Sequence, residues 1–250
     1  IRLVNTTSEE ISLWWMFQPQ WRTIMLGLTI AWIGLGMLYY GAILVVTQVF
    51  AHQNQQAGTV YFNYVGIIVA TSAEVAAIVL VMQLIDPWGR IPTQLGGYLL
   101  GALFVALLCW GETSVGRFGT VLQIAVAFGA RLCMMGAAGT TWAFTPELLS
   151  TRVRATGHGF VSGVSRVAAA ICPFIVQTGA PPLRIAVIVL LISIMTSLAI
   201  QLLLPETSGL AMGSVATNPN NKMENVKAAT IDQHYNSFFA ERQQLLVAVT

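Results

Sequence analysis

Six long apolar blocks run through this chain, separated by short polar connections. They are Thr23 to Phe50, Val60 to Ile85, Thr93 to Gly111, Phe118 to Phe144, Ala155 to Thr178 and Ile185 to Leu204. A bilayer hydrocarbon core about 30 Å thick takes roughly 20 apolar residues in a helix, and all six blocks meet that requirement. The pattern predicts an all-α, polytopic membrane protein with six transmembrane helices between residues 21 and 204. The first, second and fourth blocks are longer than a perpendicular crossing needs, which predicts tilt or overhang. Short connections make sequence neighbours antiparallel, giving an up-and-down bundle. Residues 1–20 read as an interfacial lead-in carrying Trp14 and Trp15, with Trp21 just beyond. Residues 205–250 read as a tail, largely disordered where it turns Asn-, Lys- and Ala-rich.

Composition sharpens this picture. Hydrophobic residues make up 56% of the chain and charged residues 9%, against about 25% charged in a typical soluble domain. Much of the outer surface therefore meets lipid. A net charge of +2 with no Lys/Arg cluster argues against a nucleic-acid partner. Cys109, Cys133 and Cys172 lie far apart in apolar stretches and read as small hydrophobes, not as a zinc site or a disulfide framework. The chain opens on Ile1-Arg2-Leu3-Val4 without the pattern of a signal peptide, and reads as cut from something longer.

Lys and Arg set the orientation. One side receives Arg2, Arg22, Arg90, Arg152, Arg154 and the tail's Lys222, Lys227 and Arg242, while the other receives Arg117 and Arg184. Both termini are expected to be cytoplasmic, with the membrane of residence left open.

Three charges interrupt the blocks near their centres: Glu74 in the second, Arg131 in the fourth and Arg166 in the fifth. A charge at that depth costs on the order of 2.5–3.5 kcal/mol on insertion scales, so these side chains turn away from lipid. They form either a structural Glu–Arg lock or the lining of a polar cavity at mid-bilayer. The third and sixth blocks carry no charge, as an outer position demands. The first, second, fourth and fifth hold the polar load, with Tyr39, Tyr40 and Trp142 joining the three ions as candidate pathway residues. This distribution fits two triplets of helices, with Glu74 and Arg166 in corresponding members. Glycines four apart, Gly97/Gly101 and Gly159/Gly163, are candidates for close helix packing.

Three stretches on the expected cytoplasmic side carry a family likeness. Asp86-Pro87-Trp88-Gly89-Arg90 resembles the D-R-x-G-R-R loop signature of the major facilitator superfamily. Pro146-Glu147-Leu148-Leu149-Ser150-Thr151-Arg152-Val153-Arg154-Ala155-Thr156-Gly157-His158-Gly159 resembles the P-E-x-Y-P-T-x-x-R-x-x-G-x-G stretch of sugar-porter and organic-ion members. Leu204-Pro205-Glu206-Thr207-Ser208-Gly209 is similar to the P-E-T-K-G that closes their twelfth helix. Glu74-Val75-Ala76-Ala77 and Ser165-Arg166-Val167 with Cys172-Pro173 resemble helices eight and eleven of the organic-ion and synaptic-vesicle-glycoprotein-related transporters. The likeness covers residues 20 to 210. It implies the C-terminal six-helix half of a twelve-helix transporter, whose N-terminal half is the missing partner. Pro87, Pro92, Ala76 and Ser150 depart from the family pattern.

The resemblance implies secondary or facilitative transport of a small organic solute by alternating access. A basic residue at the Arg166 position leans this towards anions, unless Glu74 neutralises it. A cytoplasmic gate is expected from Asp86, Gly89, Arg90, Glu147 and Arg154, with the Asp86 carboxylate capping a neighbouring helix. No cofactor is expected beyond a coupling proton or ion, with Glu74 as the proton's candidate carrier. The alternative is a receptor that kept the fold and lost the cycle, to which the altered loop at Pro87 and Pro92 gives weight. No phosphate-binding glycine loop is present. His52, His158 and His234 stand in separate segments without metal-ligand spacing, so neither an enzyme nor a metal site is expected.

Overall fold

The structure, a computed structural model, describes residues 21–52, 64–113, 119–151, 153–176 and 181–209. The lead-in of residues 1–20 and all of the expected 205–250 tail from residue 210 onward lie outside the described residues. Six helices account for nearly all of what is described: α1 (Arg22–His52), α2 (Tyr64–Trp88), α3 (Arg90–Thr113), α4 (Thr120–Leu148), α5 (Arg154–Val176) and α6 (Pro182–Leu203). All six are long and apolar enough to cross a membrane, making this an integral multi-pass protein. At about 1.5 Å per residue, the 31 residues of α1 overrun the hydrocarbon core.

Several helices run past their apolar blocks at one end of the bundle, and prolines mark the places. Pro92 falls in the first turn of α3, where its missing N–H is no loss. Pro87 and Pro146 lie in the last turns of α2 and α4. Pro146 has no N–H for the carbonyl of Trp142, which loosens α4 near its end. Between α2 and α3 only Gly89 is non-helical, and its φ of +92° is a left-handed conformation that glycine adopts without penalty.

Packing follows a two-fold scheme. α1 packs on α5 and α6, α4 packs on α2 and α3, α3 packs along α6, and α1 meets α4 at the centre. Exchanging α1–α2–α3 for α4–α5–α6 maps this scheme onto itself. α1 and α4 run in opposite directions, so the relation is that of an inverted repeat. α4 scarcely touches α5, and α1 scarcely touches α2.

Small residues permit the tightest crossings, but not all the expected ones. Gly97 and Gly101 do face α4, where a Cβ on Gly97 would stand 2.9 Å from the Cβ of Ala137. Gly159 and Gly163 instead face open space, with nothing within 4 Å of an added Cβ. The expectation of a packing role for that pair is corrected. The closest approaches lie on α1, where Gly34 abuts Thr196 of α6 and Gly36 abuts the Ser165 carbonyl of α5.

The third and sixth helices, charged only in their end turns at Arg90, Glu112 and Arg184, turn polar groups of their middle turns inward. Tyr98 and Gln94 of α3 are fully buried and both reach Thr141 of α4. Ser193 of α6 donates to the Tyr98 carbonyl at 2.9 Å. Such bonds satisfy groups that would be costly in an apolar setting. α2 and α5, by contrast, leave broad apolar faces uncovered, including Ile68, Val75 and Met82 on one and Val167, Ile171 and Phe174 on the other.

Candidate functional site

Two sets of side chains interrupt the apolar bundle, one at mid-span and one at the Gly89 end. At mid-span, Arg131 of α4 is held beside Glu74 of α2, with Nη2 donating to Oε1 at 2.6 Å. The same nitrogen lies 3.4 Å from the Thr71 hydroxyl. Tyr39 of α1 donates its hydroxyl to the same Glu74 oxygen at 3.1 Å, which ties α1 to α2 where their backbones hardly meet. Arg131 is 8% exposed and its Nε–H has no partner among the described residues. Helix periodicity explains the meeting. Gly66, Ala70, Ala73 and Ala77 form the buried stripe of α2, and Glu74, next to Ala73, stands at its edge within reach of Arg131 on α4.

The other expected pathway residues fall into separate groups. Tyr40 stacks edge-on to Tyr39, with ring centroids 5.3 Å apart, and is half exposed. Trp142 of α4 is half exposed and meets Trp32 of α1 at 4.8 Å and His158 of α5 at 4.9 Å. Trp32 also contacts His158 at 5.1 Å and donates its indole N–H to Thr145 at 2.9 Å. Arg166 stands apart, exposed and without a hydrogen-bond or ion-pair partner among the described residues. Glu74 is therefore paired with Arg131, not with Arg166.

At the Gly89 end, Arg90 of α3 makes a bidentate pair with Glu147 of α4, through Nε and Nη2 at 3.1 Å each. Its Nη1 reaches Asp86 of α2 at 3.1 Å and the Ile85 carbonyl at 3.3 Å. The two ion pairs differ in setting. The side chains of Arg90 and Glu147 are 14% and 16% exposed, and that of Asp86 is 77% exposed. Bidentate, mostly buried geometry makes Glu147 the stronger partner, whereas exposed pairs contribute about 0–1 kcal/mol.

Two sequence expectations are corrected here. The carboxylate that caps a neighbouring helix is Glu206, not Asp86. Glu206 accepts from the backbone N–H groups of Arg90 and Ile91, at 2.8 Å each, and of Thr207 and Ser208, at 3.1 Å each. Arg154 does not join the Arg90 cluster, because Nε and Nη2 both donate to the Leu149 carbonyl at 3.3 Å and hold the α4–α5 turn. Gly89 is fixed twice over, since an added Cβ would also stand 3.1 Å from the Glu206 carboxylate.

Reading the sequence missed Glu206 and Thr207, whose hydroxyl donates to Glu147, as members of this cluster. A usable signal was present: an acid just past a helix end, opposite a proline-disfigured turn whose first N–H groups need an acceptor. Trp32 and His158 were also missed as partners of Trp142, and no spacing in the sequence signals that contact. Cys109 and Cys172 are buried and all three cysteines are free. Among the described residues, no group of His, Cys, Asp and Glu could hold a metal.

The geometry is that of a bundle with an internal ion pair, a free cation and a charged clasp at one end. The chain is 30% identical over 179 residues to the synaptic vesicle 2-related protein of Xenopus laevis, covering 65% of this chain and 32% of that protein. It is likewise 30% identical over 184 residues to the orangutan (Pongo abelii) synaptic vesicle 2-related protein, with 65% and 32% covered. With the organic cation/carnitine transporter 7 of Arabidopsis thaliana it shares 24% identity over 161 residues, 62% of this chain and 31% of that one. The chain thus spans about a third of the length of the curated relatives it matches. Residues 6–218 match the model of the sugar (and other) transporter family, and the chain belongs to that family, in the synaptic-vesicle-2-related and organic-ion branch of the major facilitator superfamily.

Proposed function

We propose that the chain forms the C-terminal six-helix half of a twelve-helix transporter and carries a small organic solute by alternating access, with both ends of the half on the cytoplasmic side. The observation that carries this reading is the clasp at the Gly89 end. Carboxylates from α2, α4 and the segment after α6 converge there on Arg90 of α3, and Thr207 braces the α4 one. Contacts of this modest strength hold one state of a cycle and still release it. The departures at Pro87 and Pro92, which favoured a non-transporting receptor, leave the Arg90–Glu147 pair intact, and this supports the transporting reading.

The solute lies against the uncovered side of α1, α4 and α5, between this half and an N-terminal six-helix partner. Tyr40 and Trp142 offer aromatic faces there, and Arg166 offers a charge that no described residue neutralises. With Glu74 matched by Arg131, the balance is positive and favours an organic anion. Glu74 is the carrier of a coupling proton, released or taken up as the Arg131 pair opens and closes. Solute counterflow in proteoliposomes, using the whole protein that carries this chain, tests the reading. The expected result is exchange of organic anions that Arg166→Asp abolishes or redirects to cations. Binding without exchange of any anion, cation or sugar refutes it and restores the receptor.

A further inference from the structure

α5 carries a regularity that the proposed solute site leaves unused. Arg154, His158, Ser162 and Arg166 follow one another at intervals of four residues, a spacing that stacks side chains one turn above the next. Twelve residues at about 1.5 Å each make this a ladder about 18 Å long, from the Gly89 end of the bundle to mid-span. It flanks the buried stripe of Gly157, Val161 and Ser165. The other side of α5 is apolar, with Val164, Val167 and Ile171 lining a crevice of about 330 Å³ shared with α1 and α6.

The polar ladder faces a wedge between helices. α4 and α5 are joined by the short Leu149–Val153 connection yet scarcely touch along their length. The ring contact of Trp142 with His158 bridges them near the apex. Above that contact, the Ser162 hydroxyl and the Arg166 guanidinium have no protein partner among the described residues. Nearby carboxylates are occupied elsewhere: Glu147 with Arg90 and Thr207, Glu74 with Arg131 and Tyr39. Among the described residues the wedge is therefore lined by hydroxyl and imidazole donors and one cation, Arg166, without a matching anion. Unmatched charge on low-dielectric walls concentrates counter-ions.

We propose that Arg166, Ser162 and His158 form a stepped anion route down α5, with His158, seated against Trp142, as a second station between the mid-membrane site and the cytoplasmic end. The route rests on the transporter reading and its orientation. Ser162 supplies a neutral hydroxyl donor between two stations, and His158 supplies an imidazole N–H in either charge state. Arg154 ends the ladder, its guanidinium turned onto the Leu149 carbonyl.

Cysteine labelling of the whole protein in proteoliposomes tests this. Ser162→Cys is reacted from the cytoplasmic side with an anionic sulfonatoethyl and with a cationic trimethylammonioethyl methanethiosulfonate. Each rate is divided by that of free cysteine, and the parent protein serves as blank. The expected result is labelling at Ser162→Cys with about tenfold preference for the anionic reagent, lost when Arg166→Gln is added. Val167→Cys, on the apolar side, stays unlabelled. Absence of labelling at Ser162→Cys, or a preference for the cation, overturns the route. Gly159→Cys, where an added Cβ meets nothing, is the second variant should Ser162→Cys not fold, and the same two outcomes apply to it. Benzoate counterflow is measured in the same vesicles. Counterflow without anion-selective labelling refutes the route alone. Selective labelling with no counterflow of benzoate, nor of an organic cation or sugar run in its place, refutes the transporter reading and leaves only a wedge that attracts anions.

Discussion

Glu147→Gln and Asp86→Asn remove one negative charge each from opposite sides of Arg90, and the structure assigns them very different effects. Glu147 receives two guanidinium bonds and the Thr207 hydroxyl in a largely buried setting. Bonds to charged groups contribute about 1.5–3 kcal/mol. A glutamine keeps one acceptor oxygen, so the net loss is about 2 kcal/mol, within that range. Asp86 gives one bond from an exposed position, and its loss is within about 1 kcal/mol. For domains of this size, about 2–4 °C of melting temperature follows each kcal/mol. Glu147→Gln should then melt roughly 4–8 °C lower in detergent and Asp86→Asn at most about 2–4 °C below the parent. With the half-buried Cys133 replaced, a thiol-reactive dye reads this, because Cys109 and Cys172 are buried until the bundle opens. Adding Arg90→Gln to Glu147→Gln should cost little more, since the two act as one unit. Equal shifts for the two single variants, or a larger one for Asp86→Asn, would refute the ranking by burial.

Breaking the mid-span pair should be severe from either side. Arg131→Met or Glu74→Leu alone should lose about 3–5 kcal/mol, read as collapse of monodisperse protein in detergent, while the double change restores most of it. Recovery no better than the single variants would mean that the pair does not close on itself. Gly34→Ala should destabilise the bundle because its methyl meets Thr196, and Gly159→Ala should be silent; thermal melting separates them. Solute counterflow should depend on pH in the parent and lose that dependence in Glu74→Gln, and an unchanged profile removes Glu74 as proton carrier.

What could be read from the sequence follows from how far each signal travels along the chain. Helix number and type rest on runs of apolar residues, which are local, and all six were legible. The solitary placement of Glu74, Arg131 and Arg166 showed that each must find a polar environment. It did not say which pairs with which, because Glu74 is separated from Arg131 by 57 residues and partner choice depends on how α2 is rotated against α4. The clasp was half legible. Arg90 and Glu147 were within reach of a family likeness, but Glu206 caps α3 across 116 residues, and its place depends on where α6 ends beside the α2–α3 corner. Glycine spacing misled at Gly159 and Gly163 for a related reason. Four-residue spacing marks one face of a helix, and here that face looks onto open space.

The segment from Pro205 to Gly209 opens the stretch of 205–250 that the sequence reads as a tail, and the structure corrects that boundary. Its carboxylate closes the first turn of α3, and its threonine shares Glu147 with Arg90. These five residues are therefore a fastener of the bundle and no part of the tail. A stop codon after Leu204 would remove the fastener together with the tail, whereas one after Gly209 would spare it. Two shortened proteins differing by five residues would part company in folding yield, and a tag or fusion partner belongs beyond residue 209.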